Sequence, residues 1–138
     1  MENSEELAKF LLQNDHFSQW LGIEIIEVKE KYCLLKMPIR KEMINSLKTV
    51  HGGVTFAFAD SALGFSSNNT NDASVALNCV ISFTKAVREN DVLFAESILF
   101  SDTNKTAVYD ITIKNQRSEN VAAFRGTVYK LGKKVTDL

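Results

Sequence analysis

The sequence predicts an α+β fold in which an antiparallel β-sheet wraps around one central, buried α-helix. Three observations lead there. The stretch His51 to Asn68, HGGVTFAFADSALGFSSN, is apolar on nearly every side of a helical wheel, and a helix of that kind is normally buried. Four segments after it read as strands separated by polar turns at regular spacing, the pattern of antiparallel neighbours joined as a meander. A single sheet of that size must cover one face, and this helix is the element apolar enough to lie against it.

The elements follow in order. Ser4 to Asn14 carries Leu7, Phe10 and Leu11 at helical spacing, with Ser4 or Asn3 as N-cap and Glu5 and Glu6 in the first turn. Phe17, Trp20 and Leu21 then read as an anchor that docks this arm, residues 1–21, on the body. Gly22 opens a strand region, Ile23 to Glu30, and a second strand runs from Tyr32 to Ile39, with Pro38 near its end where a missing donor is tolerable. Arg40 to Val50 lacks periodicity and reads as a loop into the central helix, residues 52–69, which ends in the polar cluster Asn68 to Asp72. Val75, Leu77, Cys79, Ile81 and Phe83 alternate with more polar neighbours, and strands from Val92 to Phe100, Thr106 to Lys114 and Val121 to Leu131 complete the sheet. Lys133 to Leu138 is polar and reads as a frayed end. No repeat or linker divides the chain, so one domain over residues 1–138 is expected.

Composition narrows the function. A chain of 138 residues, 45% hydrophobic and 24% charged, is globular in character, and its formal net charge of −1 gives no reason to expect a nucleic-acid partner. Cys33 and Cys79 lie far apart in apolar stretches, which suits buried thiols in a reducing compartment better than a disulfide. The start, MENSEELAK, lacks the order of a signal peptide, and no apolar run is long enough to span a bilayer. A cytoplasmic protein without a membrane partner is the expectation. The two histidines and two cysteines lack ligand spacing, so no metal is expected.

One residue breaks the apolar helix. Around Asp60 the wheel places Phe56, Ala57, Leu63, Gly64 and Ser67, and no Lys or Arg lies between Lys48 and Lys85 to pair with it. A carboxylate there is costly and often marks chemistry; the plainer reading is a loop cap or a structural ion pair. Gly52 and Gly53, at the helix start, permit a tight turn, and their free N–H groups with the helix dipole behind them also stabilise negative charge. A carbonyl becoming an oxyanion needs such donors, and a carboxylate acting as nucleophile or general base completes a minimal acyl-transfer site. Gly52 and Asp60 are eight positions apart, roughly 12 Å along a helix. They can meet one carbonyl only if they come from two subunits with antiparallel helices, so an obligate two-fold dimer is expected. His51 suits a neutral, orienting role or a purely structural one, because the dipole disfavours its imidazolium; His16 receives no role.

HGGVTFAFAD, preceded by Asn45 and followed by SALGFSSN, resembles the signature of hotdog-fold acyl-CoA thioesterases of the phenylacetate-degradation (PaaI-like) type. ALNCVISFTKAVRENDVLFAES is similar to that family's next strand, basic turn and following strand, and the resemblance covers roughly Trp20 to Lys130. It implies a hotdog fold and hydrolysis of an acyl-CoA thioester without a separate cofactor, coenzyme A being part of the substrate. It implies Asp60 as nucleophile or general base, the Gly52 N–H as oxyanion donor, Asn45 positioning the thioester or water, and His51 supporting that loop. A dimer assembling to a homotetramer is likewise implied. Turn formation is the alternative for Asn45. Gly53, Phe56, Lys85 and Arg88 are candidates at the substrate, with Phe58 and Phe83 as further acyl-pocket aromatics and Arg125, Lys130, Lys133 and Lys134 as further phosphate partners. Two positions depart from the pattern: Ala76 stands where some relatives have Ser or Thr, and Ala86 stands where proline is usual. A hotdog dehydratase fits poorly, since His51 sits at the turn, and a non-catalytic acyl-CoA-binding module has no need of the carboxylate.

Overall fold

In the computed structural model, which describes residues 3–138, six antiparallel strands form one sheet around a 17-residue helix. The first two residues of the N-terminal arm lie outside the described residues. Helix α1, Ser4–Gln13, starts at Asn3, whose side chain accepts the Glu6 N–H at 2.8 Å, with Glu5 and Glu6 favourably placed in the first turn. Helix α2, His16–Leu21, starts at Asp15 and ends at Gly22, whose φ of 81° is the left-handed cap that glycine adopts without strain. The docking anchor is narrower than expected. Leu21 is buried, but Phe17 and Trp20 are 55% and 63% exposed. Six residues of α2 present one narrow face inward, and Trp20 instead lies under the Arg40 guanidinium, 5.2 Å from its ring centre.

Strands β1, Glu24–Lys29, and β2, Tyr32–Pro38, form a hairpin; then come α3, Gly52–Asn68, β3, Asp72–Phe83, β4, Val92–Asp102, β5, Thr106–Lys114, and β6, Asn120–Lys134. The spatial order is β1-β2-β4-β5-β6-β3. This corrects the expected meander. Of the four strands after α3, only β4, β5 and β6 are consecutive neighbours, and β3 lies beside β6 at the far edge. Glu89 to Asp91 does turn, with Asn90 at a φ of 73°. The segment from Thr84 to Asp91, however, carries the chain across the start of α3. There the Val50 N–H donates to the Val87 carbonyl at 2.7 Å, and the Ile39 N–H donates to the Asp91 carbonyl at 2.8 Å.

Helix α3 lies on the concave side, with Phe58, Ala59, Ala62 and Leu63 almost fully buried against Leu35, Ile111, Ile113 and Phe124. At Gly126 of β6 an added Cβ would stand 2.6 Å from a Leu63 methyl carbon, so the absent side chain is what lets helix and strand approach. Cys33 is buried beneath α3, where its thiol donates to the Ala62 carbonyl at 3.3 Å and burial pushes its pKa up to about 12. Both cysteines are free thiols.

Strand β3 also departs from the simple alternation. A bulge between Ala76 and Asn78 shifts its register on β6, so Val75 shares the outer face with Tyr129 while Cys79, Ile81 and Phe83 share the inner face with Gly126, Phe124 and Ala122. Among the described residues its other edge has no neighbouring strand, and Val75, Leu77, Val80 and Phe83 stay 49–62% exposed. The C-terminal end is ordered, not frayed. Val135 is buried, its N–H donates to the Asn71 carbonyl at 3.1 Å, and the Thr136 N–H donates to the Asn71 side chain at 3.2 Å. No helix among the described residues is long and apolar enough to cross a membrane.

The end of α3 is held by Asn69, which is fully buried. Its amide donates to the carbonyls of Lys29 and Tyr32 at 2.8 and 3.2 Å, and its oxygen accepts the Lys31 N–H at 2.9 Å. These bonds brace the β1–β2 turn, where Lys31 takes a φ of 58°. Asn69→Ala strands three backbone groups, and urea unfolding should register a loss of roughly 2–4 kcal/mol. A loss under half of the lower figure would show that water replaces these bonds at little cost.

Candidate active site

The loop before α3 is built to present His51. After a 3-10 turn at Lys41–Met43, Ile44 bridges to Val50, and the Asn45 side-chain oxygen accepts the N–H groups of Leu47 and Thr49 at 2.9 and 3.3 Å. Asn45 thus forms the turn through its side-chain oxygen. The His51 N–H donates to the Met43 carbonyl at 2.8 Å. With extended backbone angles, φ −63° and ψ 132°, His51 is the N-cap, and its Nδ1 accepts the Gly53 N–H at 2.8 Å. An accepting Nδ1 carries no proton, so the neutral ring bears its hydrogen on Nε2. The same bond takes the Gly53 N–H out of contention as a substrate donor.

The Gly52 N–H finds no acceptor among the described residues. It sits at the positive end of α3 and lines a hollow of about 400 Å³ together with Thr55, Phe83, Lys85, Val87 and Val121. The Phe83 ring lies directly over it, 3.2 Å from where a Cβ would stand. Lys85 meets Glu119 at 3.2 Å at this mouth, and Arg88 is exposed nearby in the sequence. Other basic candidates are committed elsewhere. Arg125 grips Asp110 with bonds of 2.7 and 2.9 Å, and Lys130 pairs with Asp102, because each faces a carboxylate on an adjacent strand or turn. Lys133 and Lys134 are exposed at the end of β6. Of the aromatic candidates, Phe58 is wholly core and Phe56 packs edge-on against Phe124 with centroids 5.3 Å apart, so Phe83 alone reaches a hollow.

Asp60 opens into a second hollow, of about 670 Å³, on the other side of the same helix. The expectation of burial needs correction here. The line Ala57, Asp60, Gly64 borders a hollow walled by the N-terminal arm and the C-terminal turn, and Asp60 is solvent-exposed in the single chain. No ion-pair or hydrogen-bond partner for its carboxylate occurs among the described residues. Removal of water from one side by walls such as Phe10, Leu11 and Phe17 is the larger cause pushing its pKa up, and the negative charge of Asp15 is the second. The two hollows share no lining residue. Sequence reasoning missed the arm's contribution: Asn14, Asp15 and His16 line the Asp60 hollow. The available signal was an Asn-Asp pair between two helices, which reads as capping alone.

Residues 47–122 match the model of the thioesterase superfamily. The chain belongs to that superfamily. It is 34% identical to the acyl-coenzyme A thioesterase PaaI of Escherichia coli over 94% of this chain and 92% of that protein. It is 33% identical to a putative esterase of Archaeoglobus fulgidus, over 92% of this chain and 82% of the relative. The solved structure of the E. coli PaaI protein, from the phenylacetic acid degradation operon, superposes with a TM-score of 0.93, covering 95% of both chains at 33% identity. The fold is therefore the hotdog fold.

One buried group at the site has no partner. The Thr55 hydroxyl, on the turn after Gly52, is unpaired among the described residues. Thr55→Val removes that penalty at constant shape. Thermal and urea unfolding should find the variant unchanged or stabilised by up to about 1 kcal/mol; a clear destabilisation would mean that the hydroxyl is satisfied by water or by another subunit.

Proposed function

We propose that the chain hydrolyses acyl-CoA thioesters to a free acid and coenzyme A, at a site shared between two subunits. The observation that carries the reading is the division of labour along α3: a free N–H at its start, a carboxylate of raised basicity two turns on, and separate hollows at each. Asp60 activates water against the thioester carbon, or attacks that carbon itself before water releases the acid. The carbonyl oxygen gathers charge against the partner's Gly52 N–H, the C–S bond breaks, and the thiolate of coenzyme A leaves and is protonated. The acyl group occupies the Asp60 hollow, whose arm-side wall of Phe10, Leu11 and Phe17 is apolar. Lys85 and Arg88 flank the Gly52 side, where the phosphates of coenzyme A would emerge. Asn45 and His51 shape the loop that presents Gly52.

The free edge of β3 supports the dimer. Unpaired backbone groups and the exposed Val75, Leu77, Val80 and Phe83 are a template for a second β3. Antiparallel pairing there continues the sheet and sets two α3 helices side by side in opposite directions. The helix-free outer face adds exposed Ile98, Phe100, Tyr129 and Leu131, which supports a further contact that makes a dimer of dimers.

The test is thiol release from phenylacetyl, hydroxyphenylacetyl, benzoyl, butyryl and octanoyl thioesters of coenzyme A. Asp60→Asn should lower turnover on the order of 10²-fold or more while the fold persists. Gly52→Pro deletes the donor, because proline is accepted at the first helical position and His51 is already extended, but its ring also meets Phe83; Gly52→Ala makes the same contact and keeps the N–H, and the loss beyond that control should be about 10²–10³-fold. Unfolding and refolding the two inactive variants together should restore activity, since the mixed dimer contains one site with both groups intact. No recovery on mixing would place both groups' work within one subunit. Light scattering should give a tetramer, and Phe100→Glu should reduce it to an active dimer; an unaltered tetramer would clear the outer face of that role.

A further inference from the structure

Asp60 does not face its hollow alone. The junction of α1 and α2 sets a second carboxylate, Asp15, on the same wall. Hydroxyl groups lock that carboxylate in place. Asp15 accepts the Ser18 N–H at 2.9 Å with one oxygen and lies 2.6 Å from the Ser18 hydroxyl with the other. The Ser18 hydroxyl, wholly buried, lies 2.8 Å from that of Ser61, the residue beside Asp60. The directions of these bonds follow from the chemistry. An ionised carboxylate only accepts, so Ser18 donates to Asp15 and must then accept from Ser61. The chain of bonds thus ties the Asp15 carboxylate to the helix that carries Asp60.

We propose that Asp15 is a positioning residue: its fixed charge makes Asp60 a stronger proton acceptor, and the Ser18–Ser61 pair keeps that charge in register with α3. The other walls do not cancel the effect. From α1 and its cap come Phe10, Leu11 and Asn14, whose side chains are uncharged, and from the C-terminal turn Val135 and Leu138. On β3, outside the lining of the hollow, the Cys79 thiol is close enough to feel Asp60: its pKa is raised by burial and then by the Asp60 charge. His16 on α2 is the one cationic candidate lining the hollow; protonated, it opposes Asp15. Burial is the larger influence on Asp60 and Asp15 the second, so Asp15 adjusts a carboxylate that is already perturbed. A general base gains from a proton affinity closer to the working pH.

The inference rests on Asp60 being the reacting carboxylate, and the experiment keeps the two claims apart. The pH dependence of kcat/KM is compared for wild type and Asp15→Asn, beside a 13C NMR titration of the Asp60 carboxyl in both proteins. Asn caps a helix as well as Asp does, so α2 and the melting temperature should be retained. An essential ionised carboxylate loses activity as the pH falls through its pKa. Removing the neighbouring charge should move this acid limb to lower pH, a roughly twofold gain in rate relative to the plateau well below the midpoint. Added salt should move the wild-type limb the same way by a smaller step and leave the variant's in place. Ser61→Ala, which keeps the charge and breaks the tie, should raise KM and shift the limb little. An Asp60 titration identical in both proteins, or a salt response equal in both, overturns the role of Asp15 while thioester hydrolysis stands. Should wild type hydrolyse no thioester, the function falls, and the NMR titration still decides whether Asp15 acts on Asp60. If Asp15→Asn fails to fold, the wild-type salt response decides: an acid limb that ignores salt overturns the proposal.

Discussion

One rigid helix carries both of the groups that the proposed chemistry needs, and it is pinned at each end. At its start His51 caps the first turn and is itself held by Met43, so the Gly52 N–H has a set direction. At its end Asn69 is bonded into the β1–β2 turn. Between them, close packing of Leu63 on Gly126 presses the helix into the sheet. A helix held in this way cannot bend to bring two groups two turns apart onto one carbonyl. Everything else about the proposed site, above all the need for a second subunit, follows from that stiffness.

The sheet is organised around the same requirement. Carrying the chain from β3 across the start of α3 into β4 leaves β3 at an edge, with its inner-face residues beside the helix and its backbone unpaired on the other side. The connection also brings Val87 to Val50 and places Lys85 and Phe83 beside Gly52. A meander with β3 next to β4 would pair that edge internally. The unpaired edge of β3 and the walls of the Gly52 hollow thus arise from one topological choice.

The surroundings of Asp60 are made by parts of the chain that are distant in sequence. The arm covers a line of α3 that the sheet leaves open, and does so incompletely: Phe17 remains mostly exposed while Ser18 and Leu21 are buried. Partial cover suits a site that must admit a substrate and still withdraw water from a carboxylate. Full burial would make the charge prohibitively costly, and full exposure would leave an ordinary acid.

The α+β class, the existence of the central helix, the turn positions and the presence of a lone carboxylate on that helix were legible in the sequence. Each is local: periodicity, turn residues and a carboxylate among apolar neighbours reveal themselves within a window of one or two turns. The HGG motif and its spacing to Asp60 also carried the family resemblance. Strand order was not legible, because polar turns look alike whether they join neighbours or cross the sheet. Nor was the phase of β3, since one extra residue at its bulge reverses which side chains point inward. Asn45 offered a turn role and a substrate role with equal chemistry, and only the bonds to Leu47 and Thr49 show where its oxygen goes. The ordered C-terminus depends on Asn71, more than sixty residues upstream. Asp15, His16 and Ser18 join the Asp60 wall for the same reason. Long-range packing decides which distant residues share a hollow, and a one-dimensional pattern contains no term for it.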